Sequence, residues 1–202
     1  MVNKCCISHT IAPVETTVTP PTILSYPLER VLQRNNLLTT IPRLTKSYTV
    51  KFQIKPTGTV GGWSNILHMT ANDNNCCNYG DRNPAVFVHG SSTKLHICSS
   101  VSNNGNHCVN PPTALPINTW TAVEITQRPE GNSFRYQVKV GGKVYGNLIN
   151  TLPKEFTNVK VYSADNWYIE AKAVIRNLVI NPNAPIEIGD YSLFPFKYWY
   201  MK

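Results

Sequence analysis

A strict alternation of apolar and polar side chains over residues 48–54 limits how this chain can fold more than any other feature. The same alternation recurs over residues 134–140. A two-residue period gives a strand one apolar and one polar face, as in a half-buried β-strand. Gly141 and Gly142 follow the second segment at once, and glycine supplies the positive φ that a two-residue hairpin turn requires. The pattern therefore predicts antiparallel sheets buried on one face.

Further strand-like segments continue along the chain, separated by Pro and Gly at fairly regular intervals, and no convincing amphipathic helix interrupts them. About ten to thirteen strands in one chain are typical of a two-sheet sandwich with a shared core and two wet outer faces. We predict one all-β jelly-roll sandwich domain over residues 23–202. The further predicted strands lie at residues 63–70, 85–89, 95–101, 120–126, 159–163 and 171–180.

Residues 1–22 differ from the rest because they are rich in Thr and Pro. Such composition is typical of an extended tail or linker that does not pack as a domain. The first residues lack the apolar core of a signal peptide, and the chain has no apolar run of the length that spans a membrane. We expect a tethered module without a transmembrane segment.

The six cysteines suit an oxidising compartment, since an even number can pair completely. Cys98 and Cys108 flank the turn-forming residues 103–106, so we predict a disulfide that closes this hairpin. An extracellular or secreted location follows from this interpretation.

The other cysteines form two adjacent pairs, Cys5-Cys6 and Cys76-Cys77. We predict that these pairs cross-link the N-terminal tail to the Asn-rich segment, with the individual pairing open. Zinc prefers spaced cysteines or interleaved histidines, so adjacent cysteines do not indicate a zinc site.

The basic excess, 19 Lys and Arg against 11 Asp and Glu, gives a net charge of +8. Such a balance favours acidic partners such as acidic polysaccharides. The basic residues stand singly among apolar ones, which also fits a solvated sheet face, and no nucleic-acid-binding motif is present. We predict no nucleic-acid partner.

Several segments in order resemble the concanavalin A-like lectin/glucanase superfamily, and within it domains of the laminin G type. The resemblance covers roughly residues 30–180 and rests on residues 48–56, 63–68, 118–127, 134–142 and 173–180. It implies a jelly-roll sandwich. Family members bind sugars, proteins or lipids and some are hydrolases or lyases, so the fold alone does not choose among these functions.

The most site-like segment is rich in Asn and Asp and spans residues 72–84. Planar amides and carboxylates can bind sugar hydroxyls, and an aromatic face can stack on the ring. A second candidate is a Trp beside Asp and Asn at residues 164–168. Turn formation explains the first segment equally well, and a Trp that plugs the core explains the second. The predicted ligand-binding residues are Asn72, Asp73, Asn75, Tyr79, Asp81, Arg82, Asp165, Asn166 and Trp167.

Two further expectations concern metals and aromatic residues. Asp73 and Asp81, with nearby amide oxygens, could hold calcium, although no calcium-loop motif is present. No other cofactor is expected. Trp63 and Trp120 each begin a predicted strand, and we expect both in the core.

Catalysis finds little support in the sequence. A glucanase needs two carboxylates flanking the scissile bond, whereas Glu124 and Glu170 stand alone. A polysaccharide lyase acting on an acidic polymer is the enzymatic alternative, since proton transfer and charge neutralisation need the side-chain types present in this chain. Its candidate residues are His68, Tyr79, Arg82 and His89.

The aromatic segment at residues 194–200 predicts either a terminal strand or an exposed surface that meets another molecule, including a second copy of the chain. We predict an extracellular, non-catalytic recognition module that binds a glycan in adhesion, matrix or defence. A protein-binding adhesion module of laminin G type and the lyase remain the alternatives.

Overall fold

The computed structural model describes residues 23–183 of the 202-residue chain. These residues form fourteen strands and no helix, so the described part of the chain has no helix able to cross a membrane. The tail at residues 1–22, with Cys5 and Cys6, and the aromatic segment at residues 194–200 lie outside the described residues. The strands are β1 (Leu24–Tyr26), β2 (Arg30–Val31), β3 (Leu37–Leu44), β4 (Tyr48–Pro56), β5 (Ser64–Thr70), β6 (Ala85–Val88), β7 (Leu95–Val101), β8 (Asn104–Val109), β9 (Thr121–Glu130), β10 (Ser133–Val140), β11 (Lys143–Asn150), β12 (Phe156–Tyr162), β13 (Ile169–Glu170) and β14 (Ala173–Asn181).

The strands form two seven-stranded sheets. The first sheet has the order β1-β14-β4-β9-β10-β11, with β2 also paired to β14, and the second has the order β3-β12-β5-β6-β7-β8, with β13 paired to β5. Neighbours such as β4 and β14 are distant in sequence and antiparallel, which is how a jelly roll places its chain ends beside its middle. The prediction of an all-β, two-sheet jelly-roll sandwich is confirmed.

The core lies between the sheets and is built from the apolar halves of the alternating strands. Val50, Phe52 and Ile54 of β4 are buried, whereas Lys51 between them is exposed. Residues 136–140 of β10 bury their apolar members in the same way. Each such side chain contributes about 1.5–3 kcal/mol when removed from water. The alternation read from the sequence therefore identifies the inward face.

Glycine is required in one turn and at one close contact between the sheets. Gly141 and Gly142 join β10 to β11 with φ of 57° and 80°, a backbone conformation that glycine adopts without steric cost. At Gly146 in β11, a Cβ atom would lie 2.6 Å from Cγ2 of Val109 in β8. The two sheets therefore meet closely at this end of the sandwich.

The middle of the outer face of the second sheet, at β5 and β6, is covered, contrary to the prediction of two wet outer faces. All seven residues of β5 are buried, and so are Ala85 and Phe87 of β6, which lie outside the core between the sheets. Two connections provide the cover. Residues 71–84, between β5 and β6, are called the Asn-rich loop below, and residues 163–168, between β12 and β13, are called the Trp loop.

Candidate functional site

Asp81 organises the Asn-rich loop from inside. Its side chain is fully buried, and Oδ1 accepts a hydrogen bond from Nδ2 of Asn72 at 2.7 Å. Oδ2 accepts from Nδ2 of Asn74 at 3.1 Å and from the backbone N–H of Asn78 at 2.7 Å. Three N–H donors thus replace the water that a buried carboxylate loses. Asp81 holds the loop in shape and has no surface to offer a ligand.

A buried His68–Asp165 pair joins both loops to β5. Neither side chain has exposed surface, and Nδ1 of His68 lies 2.7 Å from Oδ2 of Asp165. Nε2 of His68 lies 2.8 Å from the backbone oxygen of Asp81. Both ring nitrogens of His68 thus lie within hydrogen-bond distance of a buried oxygen atom. His68 is therefore fully used inside the protein.

Arg82 lies where the two loops meet the sheet. It is only 5% exposed, and its Nε donates to the backbone oxygen of Asn75 at 2.9 Å. Its terminal nitrogens donate to Oδ1 of Asn106 at 2.6 Å and to Oδ1 of Asn75 at 3.3 Å. The guanidinium carbon lies 4.6 Å from the centre of the Phe87 ring. Burial lowers the pKa of Arg82 from its usual value, but an arginine begins so high that the charge persists.

An open cleft of about 90 Å³ adjoins this arginine. Trp63 forms its rim and is 43% exposed, with its ring centre 4.3 Å from that of His89 and 4.9 Å from that of His96. The cleft thus combines a half-exposed indole, one buried cation and neighbouring imidazoles. The lining residues are Trp63, Arg82, Phe87, His96 and Tyr168.

His96 is held in a fixed orientation in the cleft wall. Its Nδ1 lies 2.6 Å from Oδ1 of Asn110, and its ring packs near Phe87, its register partner in β6. Burial, with smaller contributions from His89 and Arg82, lowers the pKa of His96 from the usual 6.5. The ring is therefore neutral at neutral pH.

Among the predicted ligand-binding residues, only Arg82 lines the cleft. Asn75 does not line the cleft but accepts a hydrogen bond from Arg82. Asp165 and Asp81 are buried and hydrogen-bonded to other protein groups. Trp167 packs on the buried His68, with ring centres 5.2 Å apart. Asp165 is fully buried, so its role is structural and it is not available to a ligand at the surface.

The remaining predicted residues lie away from the cleft. The Tyr79 hydroxyl donates to the backbone oxygen of Leu152 at 2.7 Å, and burial raises the pKa of Tyr79. Asn72 is occupied by Asp81. The backbone oxygen of Asn166 accepts from Arg34 at 2.8 Å. These contacts give each residue a role in shaping loops.

The sequence interpretation missed most of the cleft. Trp63 and Trp120 were both expected in the core, but neither lies there. Trp63 is half-exposed and precedes the first residue of β5, and Trp120 is only partly buried. Phe87 and His96 occupy the positions of β6 and β7 that alternate with core residues, a signal that the sequence does contain. Tyr168 ends the Trp loop and lies 5.0 Å from the Phe87 ring.

The described cysteines are all paired. Cys98 and Cys108 are joined across β7 and β8, the pairing predicted from the sequence. Cys76 and Cys77 are joined to each other, which differs from the predicted link to the N-terminal pair. At Gly105 in β8, a Cβ atom would lie 2.2 Å from the backbone oxygen of Cys77. The Asn-rich loop therefore rests directly on that strand.

Potential metal ligands are engaged elsewhere. His96, Cys98 and Cys108 bring three ligand atoms within 4.8 Å of one another, but the disulfide leaves neither sulfur as a thiolate. Asp73 accepts from Lys160 at 2.5 Å and from the Tyr162 hydroxyl at 3.2 Å, and the Lys160 ammonium holds the pKa of Asp73 below its usual value. Asp73 and Asp81 share no partner, so calcium binding by the pair stays a prediction.

Comparison with solved structures identifies the architecture. A pentraxin from Limulus polyphemus matches with 16% identity over 78% of this chain and 74% of that chain, with a TM-score of 0.49. A structure of botulinum neurotoxin type C matches with 11% identity over 83% of this chain and 44% of that chain, with a TM-score of 0.50. Cell entry of that toxin depends on interaction with two ganglioside molecules. The fold is a two-sheet jelly roll.

The jelly-roll fold expected from the sequence resemblance is confirmed. A carbohydrate-binding module of a Ruminococcus gnavus sialidase, bound to α2,3-sialyllactose, is similar over 79% of this chain and 94% of that chain, with 12% identity and a TM-score of 0.48. No protein-family model matches the chain, and no curated protein matches it. At these identities the likeness concerns the fold alone.

Proposed function

We propose that this chain is a non-catalytic glycan-binding module whose binding site is the cleft between Trp63 and Arg82. The observation that carries the proposal is a half-exposed indole beside a buried, hydrogen-bonded guanidinium in one open cleft. Sugar rings stack their C–H faces on aromatic side chains, while a few convergent polar groups fix their orientation. Both kinds of group are within reach of one ligand here.

The cleft is organised before any ligand arrives. Arg82 is held by Asn75 and Asn106, and His96 is held by Asn110. Groups that are already ordered lose little conformational entropy on binding. The supporting network beneath the cleft, from Asp81 to His68 and Asp165, fixes the two loops that frame it.

The absence of catalysis is part of the proposal. No carboxylate is among the described residues that line the cleft, whereas sugar hydrolysis usually requires two. His68 was a candidate proton-transfer residue for a lyase, but it has no exposed surface and both its nitrogens are engaged. These features favour binding over bond cleavage.

The proposed setting is extracellular, in adhesion, matrix binding or defence. The Cys98–Cys108 disulfide supports an oxidising compartment. The laminin G-like alternative, in which the ligand is another protein, is the function we would favour if no glycan binds.

A glycan array with the full chain and Trp63→Ala tests the proposal. We expect selective binding by the natural chain and a loss of on the order of tenfold or more in the variant, because base- and ring-stacking surfaces of this kind contribute about 1–3 kcal/mol. Trp120→Ala is the matched control, since Trp120 lies between Lys55 and Arg176 on the opposite sheet. Equal binding by Trp63→Ala and the natural chain would remove the cleft from consideration.

A further inference from the structure

We infer that the bound sugar carries an anionic oxygen group, a carboxylate or a sulfate, which Arg82 binds directly. This inference rests on the proposed glycan-binding function and narrows it to a chemical class of ligand. It comes from the charge of Arg82, its burial and the identity of its partners.

Arg82 differs from the other described arginines in being both buried and without a carboxylate partner. Arg43 pairs with Glu155, Arg135 with Glu130 and Arg176 with Glu29, all at exposed or half-exposed positions. Within residues 23–183, no carboxylate lies within 4.0 Å of Arg82, and its hydrogen-bond partners are the amide oxygens of Asn75 and Asn106 and the Tyr168 hydroxyl.

A buried cation without a counter-ion is costly, because taking an ion out of water costs several kcal/mol after relaxation. Asp81 and Asp165 contribute favourable longer-range attraction to Arg82. Their oxygens, however, are already occupied by the Asn72, Asn74 and Asn78 donors and by His68 and the Trp-loop backbone. An anion arriving in the cleft is the partner that this site lacks.

The known partners of Arg82 do not use all of its donors. A guanidinium carries five N–H groups; Asn75 and Asn106 accept from three of them, and the Tyr168 hydroxyl is a further partner. The guanidinium carbon lies 4.6 Å from the centre of the Phe87 ring, and Arg82 is one of the side chains that line the open cleft. Carboxylate and sulfate oxygens match a guanidinium edge, and such charge-assisted bonds are about twice as strong as neutral ones.

The surroundings favour an anion over a cation. The cleft is lined by Trp63, His96 and Tyr168 besides the arginine and Phe87, and no acidic side chain lines it among the described residues. Trp63 can therefore stack on the sugar ring while Arg82 binds its charged group. A neutral sugar would use only the first of these contacts.

Matched pairs of immobilised oligosaccharides test the inference on the natural chain. The pairs are a glucuronate-terminated and a sialic-acid-terminated glycan, each with its carboxyl methyl ester, and a sulfated galactoside with its unsulfated form. We expect one anionic class to bind on the order of tenfold or more tighter than its neutral match, since hydrogen bonds to charged groups contribute about 1.5–3 kcal/mol. Which pair responds distinguishes carboxylate from sulfate.

Binding measured at high salt distinguishes an anion bound to Arg82 from general attraction to a basic protein. Exposed charges are screened at about 0.5 M salt, whereas a buried pair is screened much less. We expect the preference for the anionic sugar to survive. A preference that vanishes with salt would reflect net charge and would overturn the inference.

Arg82→Lys tests whether Arg82 causes the preference for the anionic sugar, with Arg43→Lys as the matched control. Arg82→Lys keeps the charge but loses the planar donor edge, so we expect on the order of tenfold weaker binding of the anionic sugar and little change for its neutral match. Equal losses for both sugars would mean that Arg82 only supports the loop. If the variant fails to fold, judged by thermal denaturation, the ligand pairs still decide.

The two proposals fail in different ways. Equal, Trp63-dependent binding of charged and neutral sugars would overturn the role of Arg82 and leave glycan binding intact. Failure of every glycan to bind would overturn both.

Discussion

The two outer faces of the sandwich use the same alternating strands for opposite purposes. On the first sheet, Lys51 and Lys139 flank Glu124 at 3.4 and 4.0 Å, and all three side chains contact water. On the second sheet, the corresponding face carries His68, which is fully buried with Asp165 under the Trp loop. The outer face of the first sheet therefore carries solvent-exposed ion pairs. The outer face of the second sheet carries buried polar groups, which are covered by loops and support the cleft.

The difference shows where the loss of a polar partner strongly lowers the free energy of unfolding. Exposed ion pairs contribute about 0–1 kcal/mol, because water solvates the separated partners well. A buried pair that loses one partner costs about 3–5 kcal/mol, because the remaining charge has no water. The covered face therefore depends on a complete set of hydrogen bonds, and the exposed face does not.

Asp165→Ala is expected to have the largest effect. It removes the partner of His68 and the acceptor of the Trp167 and Tyr168 backbone N–H groups. We expect a loss of about 3–5 kcal/mol in the free energy of unfolding, measured in denaturant. Glu124→Ala on the exposed face is the control, with a loss of about 1 kcal/mol or less.

Asp165→Asn sharpens this test. The amide oxygen can still accept from the backbone, and the amide N–H can donate to Nδ1 of a neutral His68, whose Nε2 then donates to the Asp81 oxygen. We therefore expect a milder loss than with Ala. Equal losses in the two variants would contradict a role for hydrogen bonding at this pair.

Gly105→Ala tests whether the Asn-rich loop must rest on β8. A Cβ atom there would meet the Cys77 backbone oxygen at 2.2 Å, so the loop or the strand must shift. We expect a loss of about 1–3 kcal/mol, as for other overpacked sites, together with weaker glycan binding. Gly61→Ala is the control because a Cβ atom there has open space. Unchanged stability and binding would show that the loop seats without this contact.

The sequence predicts the exposed face better than the covered one. Alternation in residues 48–54 follows from burial on one side, so the core and the first sheet could be read directly. The cover of the second sheet arises from contacts such as Asn65 with Asp165, which are separated by 100 residues. Local pattern carries no such information.

The same reason explains why most of the predicted ligand-binding residues do not line the cleft. Asp81 and Asn72 have the composition of a sugar site, but they bind each other because the loop folds inward. Trp63 precedes β5 and His96 lies in β7, so the two rings come together only through the pairing of strands in the sheet. Of the Asn-rich segment, Arg82 alone lines the cleft, since it lies near the end of the loop, close to β6.

A smaller effect is expected from pH, and it distinguishes the cleft from the exposed face. In the free protein the pKa of His96 lies below the usual 6.5. As pH falls, the unfolded chain therefore binds a proton at His96 before the folded protein does. The contribution of His96 to folding stability thus declines as pH falls below about 6.5. Arg82 and His89 face His96 and oppose its protonation, while Asn110 favours it. An anion bound to Arg82 would offset that opposing charge and raise the pKa of His96.

Affinity for the anionic sugar should therefore increase by on the order of threefold as pH falls from neutral through the pKa of His96, since partly screened charges a few ångströms apart interact by about 1 kcal/mol. An NMR titration of the His96 ring proton, with and without the sugar, measures the shift directly. The methyl ester should leave the His96 titration unchanged, because it brings no charge to offset that of Arg82. An equal shift with acid and ester would show that the ligand acts on His96 by desolvation or contact, and not through the charge at Arg82.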